Sequence, residues 1–170
     1  DTGYFGNGLD FDGSTNKVEV SSFTNAPNTA VTVSYWINLE SHTGTFGAIN
    51  MGGAGDHRLY TDGRINSRIW TDAGVDEAEP NPGEWLTKNQ WHHIAFTWAA
   101  GGNHNTYLNG VQVGSDASIG TVIDPAFDSF EIFPEAGGDG NGKIDEVQVW
   151  LRDLTAAEIT DLYNLHYHGS

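Results

Sequence analysis

Apolar and polar residues alternate one by one along several stretches of this chain. Between residues 31 and 39, one set of positions is Val31, Val33, Tyr35, Ile37 and Leu39, and the other is Thr32, Ser34, Trp36 and Asn38. Successive side chains of a β-strand point to opposite faces of its sheet. The pattern therefore predicts a strand with one apolar face turned towards a core.

The same period of two occurs in two later stretches. Residues 91–98 carry bulky side chains on both sets of positions, which predicts a central strand covered on both sides or facing a ligand. Residues 143–151 predict a late strand with Asp145, Val147 and Val149 on one face.

Turn residues separate the predicted strands. Asp62-Gly63 and Asn109-Gly110 each lie between two β-prone segments. Both dipeptides favour the type I′ turn, whose two central residues need positive φ, so each predicts a tight β-hairpin. Further clusters of Gly, Asp, Asn and Pro lie at 52–57, 71–84, 99–105, 114–128 and 134–142. Short strands at this spacing are typical of an antiparallel two-sheet sandwich or barrel.

One helix is predicted near the C-terminus. Thr155 and Glu158 form a Thr-x-x-Glu capping box, in which each side chain satisfies a backbone N–H of the other residue. Ile159, Leu162 and Tyr163 follow as a short apolar stripe that can pack on the sandwich.

Composition narrows the classes of partner. The chain has 170 residues, which fits one domain over 1–170. Its 23 acidic residues against 7 Lys and Arg give a net charge of −16. Such a field repels phosphate backbones and anionic membranes, so we expect neither nucleic acid binding nor membrane insertion. The absence of cysteine excludes disulfides, thiolate catalysis and cysteine zinc sites, and favours an exported bacterial protein.

Six segments carry a family resemblance. The segment 3–20 contains a Phe-Asp-Gly turn at Phe11, Asp12 and Gly13, and the segment 31–40 carries Trp36. The other four segments are 59–65, 91–98, 106–115 and 142–163. In this order they resemble the laminin-G-like jelly-roll domains of the concanavalin A-like lectin and glucanase superfamily. The resemblance implies an all-β fold, a jelly-roll β-sandwich of two curved antiparallel sheets, with the predicted helix at its C-terminal end.

The resemblance raises the question of catalysis. Glycoside hydrolases of this superfamily carry a Glu-x-Asp-x-x-Glu run on one strand. In the matching run Asp145 is kept, but Lys143 and Gln148 occupy both glutamate positions. The remaining acid, Glu146, is predicted to point away from Asp145, whereas retaining hydrolysis needs two carboxyl groups about 5–5.5 Å apart. We therefore predict that the chain is not an enzyme.

The resemblance also implies calcium. Modules of this kind often hold a structural Ca²⁺ between the N-terminal turn and the Asp of the last strand, and the matching residues here are Asp12, Gly13 and Asp145. Oxygen ligands of this type suit Ca²⁺. The alternative is that Asp12 caps its own turn and Asp145 accepts backbone N–H groups.

A second calcium candidate is the acidic loop predicted at 72–79. A rim site near Trp70 and Trp85 would be formed by Asp72, Asp76, Glu77 and Glu79. Laminin-G-like modules use rim calcium of this kind to meet a ligand's oxygens. The simpler interpretation is a solvated acidic loop.

Sugar binding needs a flat aromatic face beside polar side chains that hold hydroxyl groups. Trp36, Trp91, Trp98 and Trp150 lie in predicted strands and are assigned to the core. Residues in or beside the predicted loops form the candidate ligand set, which is His57, Arg58, Tyr60, Arg68, Trp70 and Trp85.

The predicted function is a non-catalytic extracellular module that binds a glycan or cell-surface carbohydrate and is stabilised by Ca²⁺. We expect a monomeric module of a larger bacterial adhesin or carbohydrate-active protein. Two alternatives stay open at this point. A glycan hydrolase or polysaccharide lyase would need same-face carboxylates or a Tyr, His and Arg set in a groove, and a structural or protein-binding adhesion domain would show a flat surface.

Overall fold

The computed structural model describes residues 3–13, 16–22, 28–42, 44–60, 62–83, 85–125, 127–133 and 140–167. Within these ranges, twelve strands pair antiparallel in two sheets of six. Sheet I contains, in spatial order, β1 (Leu9–Asp12), β12 (Gly140–Trp150), β3 (Ala30–His42), β8 (Trp91–Ala99), β9 (Asn103–Leu108) and β10 (Val111–Ala117). Sheet II contains β2 (Val18–Val20), β11 (Phe130–Ile132), β4 (Phe46–Asn50), β5 (Gly55–Leu59), β6 (Ile65–Thr71) and β7 (Gly74–Ala78). The predicted all-β sandwich is confirmed.

The main core lies between the sheets. As the alternation predicts, Val31, Val33, Tyr35, Ile37 and Leu39 of β3 are all buried there. From sheet II, Ile49, Leu59, Ile65 and Ile69 meet them. Apolar surface removed from water stabilises a fold by about 25 cal/mol per Å², so this shared layer supplies the main force that joins the two sheets.

A second apolar layer covers the outer face of sheet I. The helix α1 (Ala156–Tyr167) packs against β8 and β9, where Ile159 of the helix and Leu154, which precedes it, meet Ala95 and Tyr107. A short 3-10 helix (Gly52–Ala54) lies earlier in the chain, between β4 and β5. The capping box is formed, since the N–H of Glu158 donates to Thr155 Oγ1 (3.3 Å) and that of Thr155 to Glu158 Oε2 (2.9 Å). Both faces of the central strands of sheet I are therefore covered.

The two predicted hairpins differ in their turns. Asn109 (φ 52°) and Gly110 (φ 78°) join the paired residues Leu108 and Val111, as in a two-residue turn. At Asp62-Gly63 the predicted two-residue turn is wrong, because the last pair of the two strands is Leu59 with Ile65, which lie six positions apart in the sequence. Among the described residues between Leu59 and Ile65, Gly63 alone has a positive φ (93°), whereas a type I′ turn needs two such residues.

A β-bulge changes the facing of β12. The pairing with β3 shifts between Asp145 and Gln148, and Glu146 has φ 50°. An extra residue in one strand reverses the alternation beyond it. Ile144 points into the main core and Asp145 pairs with Trp36 on the other side, while Val147 and Val149 pack against the main core again. The predicted shared face of Asp145, Val147 and Val149 is therefore wrong.

Candidate ligand-binding face

The outer face of sheet II is polar. Along β5 and β6, inward residues are buried in the main core, and the residues between them point outward. We call this surface the polar face; it comprises Lys17, Glu19, Asn50, Asp56, Arg58, Tyr60, Arg64, Asn66, Arg68, Trp70, Glu77, Glu79 and Glu131.

Strand register aligns one row of these side chains across all six strands. The paired positions run from Glu19 through Glu131 and Asn50 to Asp56, and then through Arg68 to Glu77. Directly opposed side chains on one face have Cβ atoms about 4.5–5.5 Å apart, so neighbours in the row are in contact range. The row brings together residues that lie far apart in the sequence.

Asp56 is the centre of this row. Its carboxylate accepts two hydrogen bonds from Arg68, from Nε to Oδ1 (2.9 Å) and from Nη2 to Oδ2 (2.6 Å). It also accepts one from Nε of Arg58 (2.9 Å). The hydrogen bonds to Asp56 raise the pKa of Arg68, which fixes its positive charge. The Arg68 side chain is 17% exposed and that of Arg58 is 37% exposed, so both keep part of their surface open to a ligand.

Two aromatic rings flank the charged cluster. The guanidinium carbon of Arg68 lies 4.7 Å from the ring centre of Trp70, and that of Arg64 lies 4.5 Å from the ring centre of Tyr60. Such cation–π contacts hold rings and guanidinium groups in fixed relative positions. Trp70 pairs with Val75 of β7, which is itself exposed, so the far end of the face has an apolar edge.

Four members of the predicted ligand set therefore meet on one surface: Arg58, Tyr60, Arg68 and Trp70. Trp85 is exposed. Its neighbour Leu86 donates its N–H to the carbonyl of Gly63, which lies between β5 and β6. Asp56 was missed, and Glu77 was predicted only as part of the calcium rim site, because their place beside the arginines depends on strand register. The only sequence signal for Asp56 was its position two residues before Arg58, on the same strand face.

His57 is wrongly assigned to the ligand set. It points into the main core, is 1% exposed, and has its ring centre 3.9 Å from that of Phe96. Desolvation by burial lowers the pKa of His57 well below its ordinary value. A cavity of about 10 Å³, room for about one water molecule, lies between His57 and His104.

A buried pair beside this cavity has the residue types of a nucleophile and its base. His104 Nε2 lies 2.8 Å from Ser67 Oγ. Ser67 is 0% exposed and His104 is 1% exposed, and the adjoining cavity has no room for a substrate. The contact is therefore a structural hydrogen bond.

The residues of the first predicted calcium site are not brought together. Asp12 pairs with Asn141, and Asp145 lies four residues further along β12, a separation of about 13 Å in a strand. Asp145 accepts hydrogen bonds from the N–H groups of Phe5 (2.9 Å) and Glu146 (2.9 Å). It therefore binds backbone N–H groups, as the alternative to a calcium site predicted. Gly13 adjoins Asp12 and lies beside Gly140 and Asn141, also far from Asp145. A site shared by Asp12, Gly13 and Asp145 is therefore a wrong prediction.

The second predicted calcium site also fails. Residues 74–78 form β7 instead of a loop, so alternate side chains point in opposite directions. Asp72 is exposed and accepts the hydroxyl (2.6 Å) and N–H (2.7 Å) of Thr121, and these bonds lower its pKa. Asp76 is buried and accepts Nε1–H of Trp98 (2.6 Å) across the sandwich.

The described residues do not fit a calcium site elsewhere either. Within these ranges, no three His, Cys, Asp or Glu side chains form a group that could hold a metal ion. Asp10, Asp12 and Glu40 do line an open polar recess of about 500 Å³, together with Asn16, Asn141 and Lys143. Calcium therefore stays a prediction that the described geometry does not support.

The family follows from the sequence match. A model of the concanavalin A-like lectin/glucanases superfamily, of laminin G type, matches residues 12–160. The chain belongs to this superfamily. No curated protein matches the sequence. Among the residues that the structure describes, no helix has the length and apolar character needed to cross a membrane.

Similar folds occur in binding domains of clostridial toxins. The binding domain of Paraclostridial Mosquitocidal Protein 1 has a TM-score of 0.85 and 16% identity, with 99% of this chain and 45% of that chain covered. The binding domain of botulinum neurotoxin serotype G has a TM-score of 0.79 and 14% identity, with 96% of this chain and 44% of that chain covered. The binding domain of botulinum neurotoxin DC, in complex with SialylT, has a TM-score of 0.72 and 14% identity, with 89% of this chain and 40% of that chain covered. This chain thus spans less than half the length of each, and the likeness concerns the fold.

Proposed function

We propose that this chain is an extracellular, non-catalytic glycan-binding module and that the polar face is its binding surface. The observation that carries the proposal is the half-buried, outward-facing combination of Trp70 with the Asp56, Arg58 and Arg68 cluster. A sugar has an apolar C–H side and a hydroxyl edge. The indole accommodates the first and the cluster can hydrogen-bond the second.

The preorganisation of the cluster favours binding. Arg68 is held by two hydrogen bonds to Asp56 and by its contact with Trp70, and all three residues lie on strands. Side chains that are already fixed lose little rotamer entropy when a ligand arrives. A rigid polar surface of this kind suits the weak, shallow recognition of a carbohydrate.

The arrangement of acids argues against hydrolysis. On the polar face, Asp56 and Glu77 flank Arg68 in the row, so a guanidinium lies between the carboxylates where a scissile bond would be needed. In β12 the run contains Lys143 and Gln148 in place of glutamates, and the bulge separates Asp145 from Gln148. These features support binding without turnover.

The similar structures add indirect support. One is described as a toxin binding domain in complex with SialylT, and another concerns cell entry of botulinum neurotoxin type C, which depends on interaction with two ganglioside molecules. Their identity to this chain is low, so they support a binding role and an extracellular setting only by analogy. Membership of a larger bacterial surface or carbohydrate-active protein is part of the same proposal, and Ca²⁺ is not required by it.

A glycan array tests the proposal. Wild type should bind a subset of glycans, and Trp70→Ala should lose about tenfold or more in affinity for the best of them, because stacking area is removed. Val111→Ala is the control, since Val111 is 64% exposed at the β9–β10 hairpin of sheet I. A silent array with correctly folded wild type, or equal losses in both variants, would contradict the proposal.

A further inference from the structure

The polar face concentrates the cations of an acidic molecule. Of the 7 Lys and Arg residues in the chain, four lie on this face: Lys17, Arg58, Arg64 and Arg68. An anionic ligand would be drawn to such a group if its charges were available. Their availability therefore decides which class of glycan the face can accept.

Each of these four cations is paired with a carboxylate. Lys17 Nζ lies 2.8 Å from Glu131 and 3.1 Å from Glu19, and Arg64 Nε lies 2.9 Å from Asp62. Arg58 and Arg68 share the carboxylate of Asp56, at 2.9 Å and 2.6 Å.

The charges around Asp56 balance. Glu77 is the cross-strand partner of Arg68 on the side opposite to Asp56 and contributes a second negative charge. The two arginines are thereby compensated by two acids. A carboxylate or sulfate of a ligand would meet a local charge near zero inside a molecule of net charge −16.

Hydrogen-bonding capacity points the same way. Glu77 and Glu79 are exposed on this face, and their carboxylates accept hydrogen bonds but donate none. A sugar hydroxyl supplies an O–H donor to such acceptors, whereas a ligand carboxylate supplies none.

We propose that the polar face selects uncharged, hydroxyl-rich glycans over sialylated or sulfated ones, and that Asp56 is the specificity-determining residue. The proposal rests on the proposed function. Asp56 disfavours anions because its charge offsets that of the two arginines and because it accepts hydrogen bonds from Nε of Arg58 and from Nε and Nη2 of Arg68. Selectivity of this kind is a repulsive element built into the site.

The test compares wild type with Asp56→Asn. The amide keeps the shape of the carboxylate but removes its charge, so both arginines can turn to an anionic ligand. Asp161→Asn on α1 is the matched control, because it changes the net charge equally and lies exposed on the other side of the sandwich. The probes are neutral oligosaccharides printed beside their sialylated and sulfated forms, with the best pair followed by titration calorimetry at low and physiological salt.

Wild type should favour each neutral form over its sialylated partner by about tenfold or more, with little salt dependence. Asp56→Asn should raise the affinity for the sialylated form by about tenfold or more, as expected for a charge-assisted hydrogen bond. Glu77→Gln should shift the preference in the same direction by a smaller factor and serves as a second variant if Asp56→Asn lowers stability. Asp161→Asn should leave the preference unchanged.

A wild-type preference for sialylated or sulfated forms that weakens with salt would overturn this inference while leaving the glycan-binding proposal in place. An unchanged preference in folded Asp56→Asn and Glu77→Gln would overturn the role of Asp56. Absence of binding to every form by all four proteins would overturn the proposed function together with this inference.

Discussion

Acid should destabilise this protein through its buried histidines. His104 is 1% exposed, and desolvation lowers its pKa from 6.5 to about 4, although the charges of Asp76 and Asp116 oppose the shift. Burial acts on His57 in the same direction. Each histidine must stay neutral in the folded protein, whereas in the unfolded chain it can take up a proton.

The sign and size follow from linkage. A pKa lowered by folding contributes stability that is complete above the unfolded value of 6.5 and is lost as the pH falls towards the folded value of about 4. The full difference for His104 is about 3 kcal/mol, and between about pH 7 and about pH 5 it amounts to about 2 kcal/mol. Typical domain stabilities are about 5–15 kcal/mol, so the loss is measurable.

The assay is urea unfolding, monitored by tryptophan fluorescence, at a series of pH values. His104→Gln keeps a polar group near Ser67 Oγ but cannot ionise, so it should lose about 2 kcal/mol less than wild type over that interval. Ser67→Ala is the matched control, because it removes the hydrogen-bond partner and keeps the imidazole. It should lower stability by about 1 kcal/mol at every pH with the wild-type slope. Identical slopes for wild type and His104→Gln would refute the reasoning.

Three further predictions concern two side-chain hydrogen bonds and the effect of removing calcium. Trp98→Phe should lower the free energy of unfolding in urea by about 2–3 kcal/mol, because the buried Asp76 carboxylate loses the indole N–H that it accepts. A loss smaller than that of the exposed control Leu151→Ala would disprove this. Thr155→Ala should cost about 1 kcal/mol through loss of the helix cap, whereas Thr121→Ser, which keeps a hydroxyl for Asp72, should be nearly neutral. EDTA should leave the melting temperature unchanged, as the described residues do not fit Ca²⁺, and a fall that added Ca²⁺ reverses would show that a calcium site exists.

Local patterns predicted the elements that depend on neighbouring residues. The alternation in β3, the capping box at Thr155 and the two-residue turn at Asn109 each rest on contacts within a few positions. These features follow from strand geometry and backbone preferences, which the sequence displays directly.

Register could not be predicted in the same way. A two-residue turn at Asp62-Gly63 would put Arg68 opposite His57, whereas the longer connection puts it opposite Asp56. A slip of one residue moves every side chain of a strand to the other face. This single difference creates the charged cluster and separates His57 from the ligand set.

The same limitation explains the errors on acidic residues. Asp76 lies in an acidic stretch typical of a solvated loop, yet it is buried because its strand turns it towards Trp98. The bulge at Glu146 likewise has no sequence signal, since its positive φ occurs at a residue without the usual preference for that conformation. Long-range pairing decided both outcomes.

An NMR titration of the isotope-labelled chain with the strongest glycan from the array tests the binding face most directly. The account predicts that the largest shift changes fall on the Trp70 indole N–H, the Arg58 and Arg68 guanidinium groups, and the backbone of β5 and β6. Changes concentrated on sheet I, around α1 or the polar recess beside Asp12, would contradict it.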